Sequence, residues 1–199
     1  ASALFGSSGS NALAINGPQD IYDTGTYAPS YGGISRSTNT FWKSTVYSSS
    51  LAPSRATMIA RIMATTQAAG GESPDMVIMS LADWTTLAAD FLSNERFNTD
   101  PGSRYGKDDA VNSGFRALML GNTPILADPF CPVGTCYFIN TKYLALYLSE
   151  DANFAFSGFH SLIPNNQIAS VGVLMAAMAL VCSKPISGSV ATAVTGAAF

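Results

Sequence analysis

Charged residues are scarce in this chain. Asp, Glu, Lys and Arg make up 12% of its 199 residues, about half of the roughly 25% found in typical soluble domains. The 10 basic residues are scattered, and the formal net charge is -3, which argues against a nucleic-acid reader with a basic stripe. Non-specific contact with DNA stays compatible with this charge. Either Ser, Thr and Asn cover the exposed surface, or neighbouring subunits bury much of it.

Histidine and cysteine are also rare. The single histidine, His160, and the three cysteines are too few for a zinc site with the usual ligand spacings. Cys131 and Cys136 flank the turn at 132–135, so they form either a local disulfide or two small packed thiols. Cys182 lies in an apolar run and is expected to be a packed free thiol. His160 has no acidic residue nearby in sequence, so we expect a hydrogen-bonded structural role for it.

Familiar catalytic motifs are absent from the sequence. It contains no phosphate-binding loop, no dinucleotide-binding glycine fingerprint, no HExxH zinc motif and no GxSxG nucleophile elbow. The acidic pairs Asp108–Asp109 and Glu150–Asp151 lie in polar turn segments, where solvated charge is the ordinary interpretation. We therefore expect no catalytic residues, no cofactor and no metal ion.

Long hydrophobic runs are missing as well. The most apolar stretch, 171–182, has 12 residues, whereas a membrane-spanning helix needs about 20. We expect it to form a buried strand or helix, and we expect no membrane partner. Residues 1–6 show neither the basic nor the apolar region of a secretory signal.

A helix–strand–helix unit is the clearest local pattern. A helix is predicted from Ser54 to the Gly70–Gly71 pair, and its apolar positions recur at helical spacing. These positions are Met58, Ile59, Ile62 and Met63. The fully apolar run 76–79 then predicts a central strand.

A second helix is predicted directly after this strand. Ser80 and Asp83 have the spacing of a capping box at its start. Its apolar face contains Leu81, Trp84, Leu87, Ala88 and Phe91. The expected core residues of the whole chain are Trp42, Trp84, Leu87 and Phe91.

Two further segments complete the interpretation. Residues 115–148 predict a meander: a strand, a Gly-Asn turn, a strand containing Pro124, and two more apolar strands joined at 140–142. Residues 98–113 form a polar loop, and loops of this length are usually functional or disordered.

Five segments of the chain, taken in order, match one known family. They are Ala3-Leu-Phe-Gly6, Tyr31-Gly-Gly-Ile-Ser-Arg36 with Phe41-Trp42, Ser73-Pro-Asp-Met-Val-Ile-Met-Ser80, the meander at 115–148, and 173–185. With these segments the chain resembles tailed-phage (Caudoviricetes) major capsid proteins of the Hong Kong phage (Johnson) fold. Ser35 stands where one branch of that family usually carries an acid, which removes a partner for Arg36.

The resemblance implies an α+β subunit with a mixed central sheet flanked by helices. Residues 1–50 would lead out of the peripheral domain, 51–150 would form the axial domain, and 151–199 would return to the peripheral domain. The family's N-terminal arm, extended loop and most of its spine helix have no counterpart here. We therefore expect a fragment or a processed form of a longer subunit, which would not build a closed shell alone.

The same resemblance implies a structural function. Such subunits assemble with copies of themselves into pentamers and hexamers of an icosahedral shell around viral DNA. Scaffold and portal proteins are expected partners, and the expected location is the virion, with assembly in the host cytoplasm. The polar loop would lie near the capsomer axis. Its candidate subunit contacts are Asp100, Arg104, Tyr105, Lys107, Asp108 and Asp109.

Two alternatives to a viral shell protein stay open. An encapsulin-like nanocompartment shell would use the same fold and would need a cargo-docking groove. An uncharacterised enzyme is the second alternative, and it would have to use the few polar groups considered above.

Overall fold

The computed structural model describes residues 15–48, 51–94, 117–162, 168–192 and 194. Its α-helices are α1 (Pro18–Ile21), α2 (Arg55–Ala68) and α3 (Leu81–Asn94). Its strands are β1 (Ser30–Tyr31), β2 (Ile34–Ser35), β3 (Thr45–Tyr47), β4 (Met76–Ser80), β5 (Ala117–Leu120), β6 (Thr123–Asp128), β7 (Cys136–Ile139), β8 (Leu144–Leu148), β9 (Ala155–Ser161), β10 (Ser170–Met175), β11 (Met178–Cys182) and β12 (Ser189–Ala191). Short 3-10 turns occupy Thr40–Trp42, Thr141–Tyr143 and Pro185–Ser187.

A six-stranded mixed sheet forms the centre of the fold, in the order β3-β12-β7-β4-β6-β5. Strand β4 lies inside this sheet, parallel to β6 and antiparallel to β7. The prediction of a central strand at 76–79 is therefore confirmed. Strand β12 pairs parallel with β3 and antiparallel with β7. The sheet thus takes strands from all three predicted segments of the chain, and the expected mixed α+β architecture is confirmed.

The meander predicted over 115–148 is wrong beyond its first hairpin. Strands β5 and β6 pair antiparallel across a turn at Gly121, whose φ is 63°. Strand β7, however, pairs with β4 and β12, and β8 leaves the sheet to pair with β11. The apolar pattern of successive strands does not reveal which strand is inserted between them. Here β4, which is apolar on both faces, takes the position between β6 and β7.

Helix α2 begins and ends as predicted but buries a different face. Ser54 is its N-cap and accepts a hydrogen bond from the Thr57 N–H at 3.2 Å, and Gly70 and Gly71 follow its last turn with positive φ. Its buried residues are Met58, Arg61, Ile62 and Thr65. The predicted face is wrong in part, because Ile59 and Met63 are exposed. Thr65 is buried because its hydroxyl pairs with Ser189 Oγ at 2.6 Å, next to the sheet.

Helix α3 starts at a variant of the predicted capping box. The Asp83 N–H donates to Ser80 Oγ at 3.2 Å, which is the expected N-cap bond. The Asp83 carboxylate, however, accepts from Ser80 Oγ at 2.6 Å and from the Gly134 N–H at 3.0 Å. The reciprocal bond of a capping box is replaced because Ser80 still belongs to β4. Asp83 thus joins the start of α3 to the turn before β7.

The sheet is packed on both faces. The helical side is a cluster that includes Val77 and Met79 of β4 with Met58, Ile62 and Leu87 of the helices. The opposite side is covered by residues 21–42, and its cluster contains Ile21, Tyr22, Tyr31, Cys131, Tyr137, Ile139, Cys182 and Val190. Val77 and Met79 share the helical side of the sheet because successive side chains of a strand point to opposite faces.

Candidate assembly surface

A long two-stranded ribbon projects from the sheet. It is formed by residues 144–161 and 170–182, and we call it the ribbon. Leu144 lies opposite Cys182 at its base, and Ser161 lies opposite Ser170 near its tip. Its return strand covers roughly 40 Å at about 3.3 Å per residue. In the described part of the chain, neither β8–β11 nor β9–β10 has a third strand beside it.

The side chains of the ribbon are apolar and exposed. Every residue of β10 is exposed, so the prediction that 171–182 forms a buried element is wrong for its β10 part, whereas β11 ends in the buried Cys182. Most of the exposed large hydrophobic side chains of the described chain belong to the ribbon: Leu146, Tyr147, Leu148, Phe154, Phe156, Phe159, Val171, Val173, Leu174, Met175 and Val181. Asp, Glu, Lys and Arg are absent from 152–183. Two-stranded ribbons cannot cover their own faces, which explains why so apolar a run is left open.

An aromatic pair marks the outer half of the ribbon. The rings of Phe156 and Phe159 meet edge to face with centroids 5.2 Å apart. A bulge between Gly172 and Leu174 brings them to the same side, and the Phe156 ring lies so close to Gly172 that a Cβ there would be 2.7 Å from it. Phe154 precedes the pair with φ 52°, the one positive φ of a non-glycine residue in the described chain. A bulky residue with a positive φ has a strained backbone, and such strain is common at functional sites.

The base of the ribbon is fixed by hydrogen bonds and ion pairs. The Cys182 N–H donates to Tyr31 Oη at 2.8 Å. Glu72 pairs with Lys142 at 3.1 Å and with Lys184 at 3.2 Å, so one carboxylate holds both strands to the connection after α2. Hydrogen bonds from Tyr143, Lys142 and Lys184 lower the pKa of Glu72 to about 2. The inner end of the ribbon is therefore anchored.

Residues 21–42, which cover the face of the sheet opposite the helices, are organised around a buried arginine. The sequence patterns did not indicate this residue as a site. Arg36 is fully buried and donates to the backbone oxygens of Asp20 at 2.6 Å, Ile21 at 2.7 Å and Ala28 at 2.9 Å. Its ion-pair partner is Asp23, at 3.6 Å, and not the position of Ser35. Asp23 is thirteen positions away in sequence, so local spacing gave no signal for this pair.

The residues predicted as subunit contacts lie outside the described residues. These are Asp100, Arg104, Tyr105, Lys107, Asp108 and Asp109. The predicted core residues are described and lie at the two apolar clusters. Leu87 is fully buried, Trp84 and Phe91 are partly buried against the helical cluster, and Trp42 is partly buried against the opposite cluster. Trp42 Nε1 also donates to the Tyr31 carbonyl at 2.9 Å.

The groups considered for chemistry are dispersed. Cys131, Cys136 and Cys182 are buried free thiols, which leaves no disulfide across the 132–135 turn, and burial raises the pKa of Cys131 to about 12. His160 lies exposed on β9 and not in a packed structural position. Within the described ranges, His, Cys, Asp and Glu residues form no group of three that could hold a metal ion.

The described helices are too short or too polar to cross a membrane.

Comparison with known proteins gives a structural match. No protein-family model matches the sequence, and no curated protein does. A chain of the cyanophage A-1(L) capsid asymmetric unit superposes with a TM-score of 0.64 over 98% of this chain, at 18% sequence identity. The chain has a phage capsid-protein fold. It spans 65% of the length of that cyanophage chain.

A second solved structure is more distant. A chain of the satellite phage P4 procapsid, which includes a size determination (Sid) protein, matches 88% of this chain with a TM-score of 0.43 and 12% identity. The match covers 57% of that procapsid chain.

Proposed function

We propose that this chain is a structural subunit of a phage capsid and that it assembles with copies of itself. The observation that carries the proposal is the match to a cyanophage capsid chain over 98% of the present chain. In the full proposal, the copies form pentamers and hexamers of an icosahedral shell that encloses viral DNA. The virion is then the final location, and assembly takes place in the host cytoplasm with scaffold and portal proteins.

The ribbon supports this proposal because its apolar area is that of an interface. Tyr147, Phe154, Phe156 and Phe159 are 54–78% exposed, and a fully uncovered aromatic side chain presents roughly 150–250 Å². These rings alone expose about 500 Å², which is already the size of the largest apolar patch of an ordinary monomer. With their aliphatic neighbours they approach the roughly 800 Å² that each partner contributes to a standard interface.

The charge distribution supports the same conclusion. Exposed strands are normally protected from pairing with other chains by charged residues, proline or a cover. The ribbon has no charged residue from 152 to 183, so its edges and faces are open to a second copy. The polar loop residues from Asp100 to Asp109 stay a second proposed contact, and DNA contact is proposed to be non-specific because the net charge is -3.

Matched substitutions in the ribbon and on α2 test this proposal. Leu174 and Met63 are both 63% exposed. Leu174→Glu is expected to convert small oligomers of the 199-residue chain into monomers, because it places a charge within the ribbon interface. Met63→Glu, the control, is expected to leave the oligomers intact. Sedimentation velocity measures both.

Two outcomes would contradict the proposal. If Leu174→Glu still forms oligomers, the ribbon is not part of the interface between copies. If the wild-type chain stays monomeric at all concentrations, the chain does not assemble with copies of itself. Electron microscopy of the same samples distinguishes small oligomers from closed shells and from amorphous aggregates.

A further inference from the structure

The two strands of the ribbon differ in regularity. On the outgoing strand, 144–161, the six residues 149–154 lie opposite only two residues of the return strand. These six include the adjacent acids Glu150 and Asp151, and Phe154 with its positive φ. Irregular backbone and charged side chains hinder the pairing of a further strand. A second chain therefore cannot pair continuously along the outer edge of the outgoing strand.

The return strand, 170–182, is regular by comparison. None of its residues has a positive φ. The bulge opposite Gly172 and Leu174 adds its extra residue to the outgoing strand, because the four residues 156–159 lie there against three. The return strand also contains no charged residue and no proline. It thus lacks the features that normally keep a strand edge from pairing with another chain.

The hydrogen bonds of Ala177 show which backbone groups of the return strand point outward. The Ala177 N–H donates to the Ala152 carbonyl at 2.8 Å, and the Ala177 carbonyl accepts from the Ser149 N–H at 2.9 Å. Both backbone groups of Ala177 therefore face the outgoing strand. Because these directions alternate along an antiparallel strand, the backbone groups of Ala176 and Met178 point away from it.

The alternation holds on both sides of Ala177. Towards the tip of the ribbon, the Val173 N–H donates to Ser157 Oγ of the outgoing strand at 3.0 Å. Towards the base, the Ser183 N–H donates to the Tyr143 carbonyl at 3.0 Å. Odd-numbered positions of the return strand thus face the outgoing strand, and even-numbered positions face outward.

The outward groups form an open edge. At the base, the Cys182 N–H points outward and is satisfied by Tyr31 Oη at 2.8 Å. Further out, no strand among the described residues pairs with the even-numbered positions from 174 to 180. Residues 174–180 span roughly 20 Å, and we call them the open edge. Unpaired N–H and C=O groups of this kind are a template for another strand.

We propose that the open edge pairs antiparallel with the open edge of a second copy, across a twofold axis. This inference rests on the proposed function and names a contact between two copies. Identical edges satisfy each other, because each supplies the alternating N–H and C=O groups that the other requires. The edge strands of the six-stranded sheet, β3 and β5, have only three and four residues. The open edge of a second copy is therefore the partner that matches in length and in lack of charge.

The same geometry limits the contact to two copies. In the pair, the two return strands lie side by side at the centre, and an outgoing strand lies on each outer side. The interrupted outgoing strands hinder the addition of a third copy. The contact is thus expected to produce a closed dimer and not a fibril.

Amide hydrogen exchange of the intact chain, compared between dilute and concentrated samples, tests this pairing without any substitution. The outward N–H groups of Ala176 and Met178 are expected to exchange at least about 10-fold more slowly when copies associate. The N–H groups of Ala177 and Ala179 face the outgoing strand and are the control, so their exchange should change much less. If association leaves the exchange of Ala176 and Met178 unchanged, the proposal is wrong.

A backbone substitution provides a second test. Ala176→Pro removes one outward N–H and keeps the hydrogen bonds between the two strands of the ribbon, because proline is tolerated where the N–H faces away from the partner strand. In a twofold pair the bond is lost twice, so dimerisation should weaken roughly 10- to 100-fold in sedimentation velocity. Ala176→Val, the matched control, keeps the N–H and should stay within about 3-fold of the wild type. Wild-type association of a folded Ala176→Pro variant contradicts the proposal, and the exchange measurement decides it if this variant misfolds.

The outcomes separate edge pairing from self-assembly itself. If oligomers form while the outward amides exchange freely, the side chains of the ribbon make the contact, and only the edge pairing is overturned. If the wild-type chain is monomeric at all concentrations, both proposals are overturned. Protected outward amides together with weakened association of Ala176→Pro support both.

Discussion

Two apolar strands of this molecule have similar sequences and opposite environments. Strand β4 reads Met-Val-Ile-Met-Ser, and β10 reads Ser-Val-Gly-Val-Leu-Met. Val77 and Met79 of β4 are fully buried, whereas every residue of β10 is exposed. The difference lies in their neighbours: β4 has a strand on each side and helices above it, while within the described residues β10 has one partner strand.

This contrast separates what folds the chain from what the chain offers to others. The sheet satisfies its own apolar side chains through α2, α3 and residues 21–42. The ribbon cannot do so, because a two-stranded element has no second layer to cover either face. The proposed function gives this apolar sequence the role of an interface with another copy.

The largest expected effect concerns the buried arginine beneath the sheet. Arg36→Ala removes the donors to three backbone oxygens and leaves Asp23 buried without its ion-pair partner. Loss of one partner of a buried pair typically costs about 3–5 kcal/mol, and we expect a loss of this size in the free energy of unfolding, measured with urea. Arg55→Ala, at an exposed position of α2 where the guanidinium lies over the Phe91 ring, is the control and should cost at most about 1 kcal/mol. A loss below about 1 kcal/mol for Arg36→Ala would show that this segment does not stabilise the sheet.

Local patterns in the sequence predicted the elements that satisfy themselves locally. The helix after Ser54 and the central strand at 76–79 were predictable, because caps, glycines and apolar periodicity lie within a few residues of each other. The order of strands in the sheet was not predictable in this way. The insertion of β4 between β6 and β7 joins residues about fifty positions apart, and nothing in the apolar pattern encodes that pairing.

The candidate surface shows the same limit. An apolar run predicts burial, and for the β10 part of 171–182 this prediction failed, because burial depends on a covering layer that local sequence does not specify. The ion pair of Arg36 with Asp23 was missed for a related reason: the acid comes from the turn after α1 and not from the neighbouring position. The sequence did show that charged residues are scarce. Most of the ribbon belongs to a continuous stretch, 152–183, that contains none of them.

The same substitution placed in the two regions sharpens the comparison. A Cβ at Gly188 would overlap the Tyr22 ring and lie 2.7 Å from the Phe138 carbonyl oxygen, whereas a Cβ at Gly172 would meet chiefly the exposed Phe156 ring. Gly188→Ala is expected to cost about 1–3 kcal/mol by overpacking. Gly172→Ala should change stability by less than about 1 kcal/mol, because the Phe156 ring can move and the unfolded chain loses entropy. Thermal or urea unfolding measures both, and equal losses would mean that the ribbon is as rigidly packed as the sheet.

The smallest expected effect lies where the two regions meet, at Glu72. Its pKa in the folded chain is lowered from 4.5 to about 2 by Tyr143, Lys142 and Lys184. A carboxylate with a lowered folded-state pKa stabilises the fold above its unfolded-state pKa, and this contribution is lost as the pH falls towards the folded-state value. The urea midpoints of wild type and Glu72→Gln should therefore differ at neutral pH and converge between pH 4.5 and about 2.

Because Glu72 is a surface residue, the difference is expected to be small and to shrink further in high salt. In a Lys142→Ala background, Glu72→Gln should have a still smaller effect, since one of the two ion pairs is already gone. A midpoint difference that stays constant down to pH 2 would show that the carboxylate charge does not hold the ribbon to the sheet.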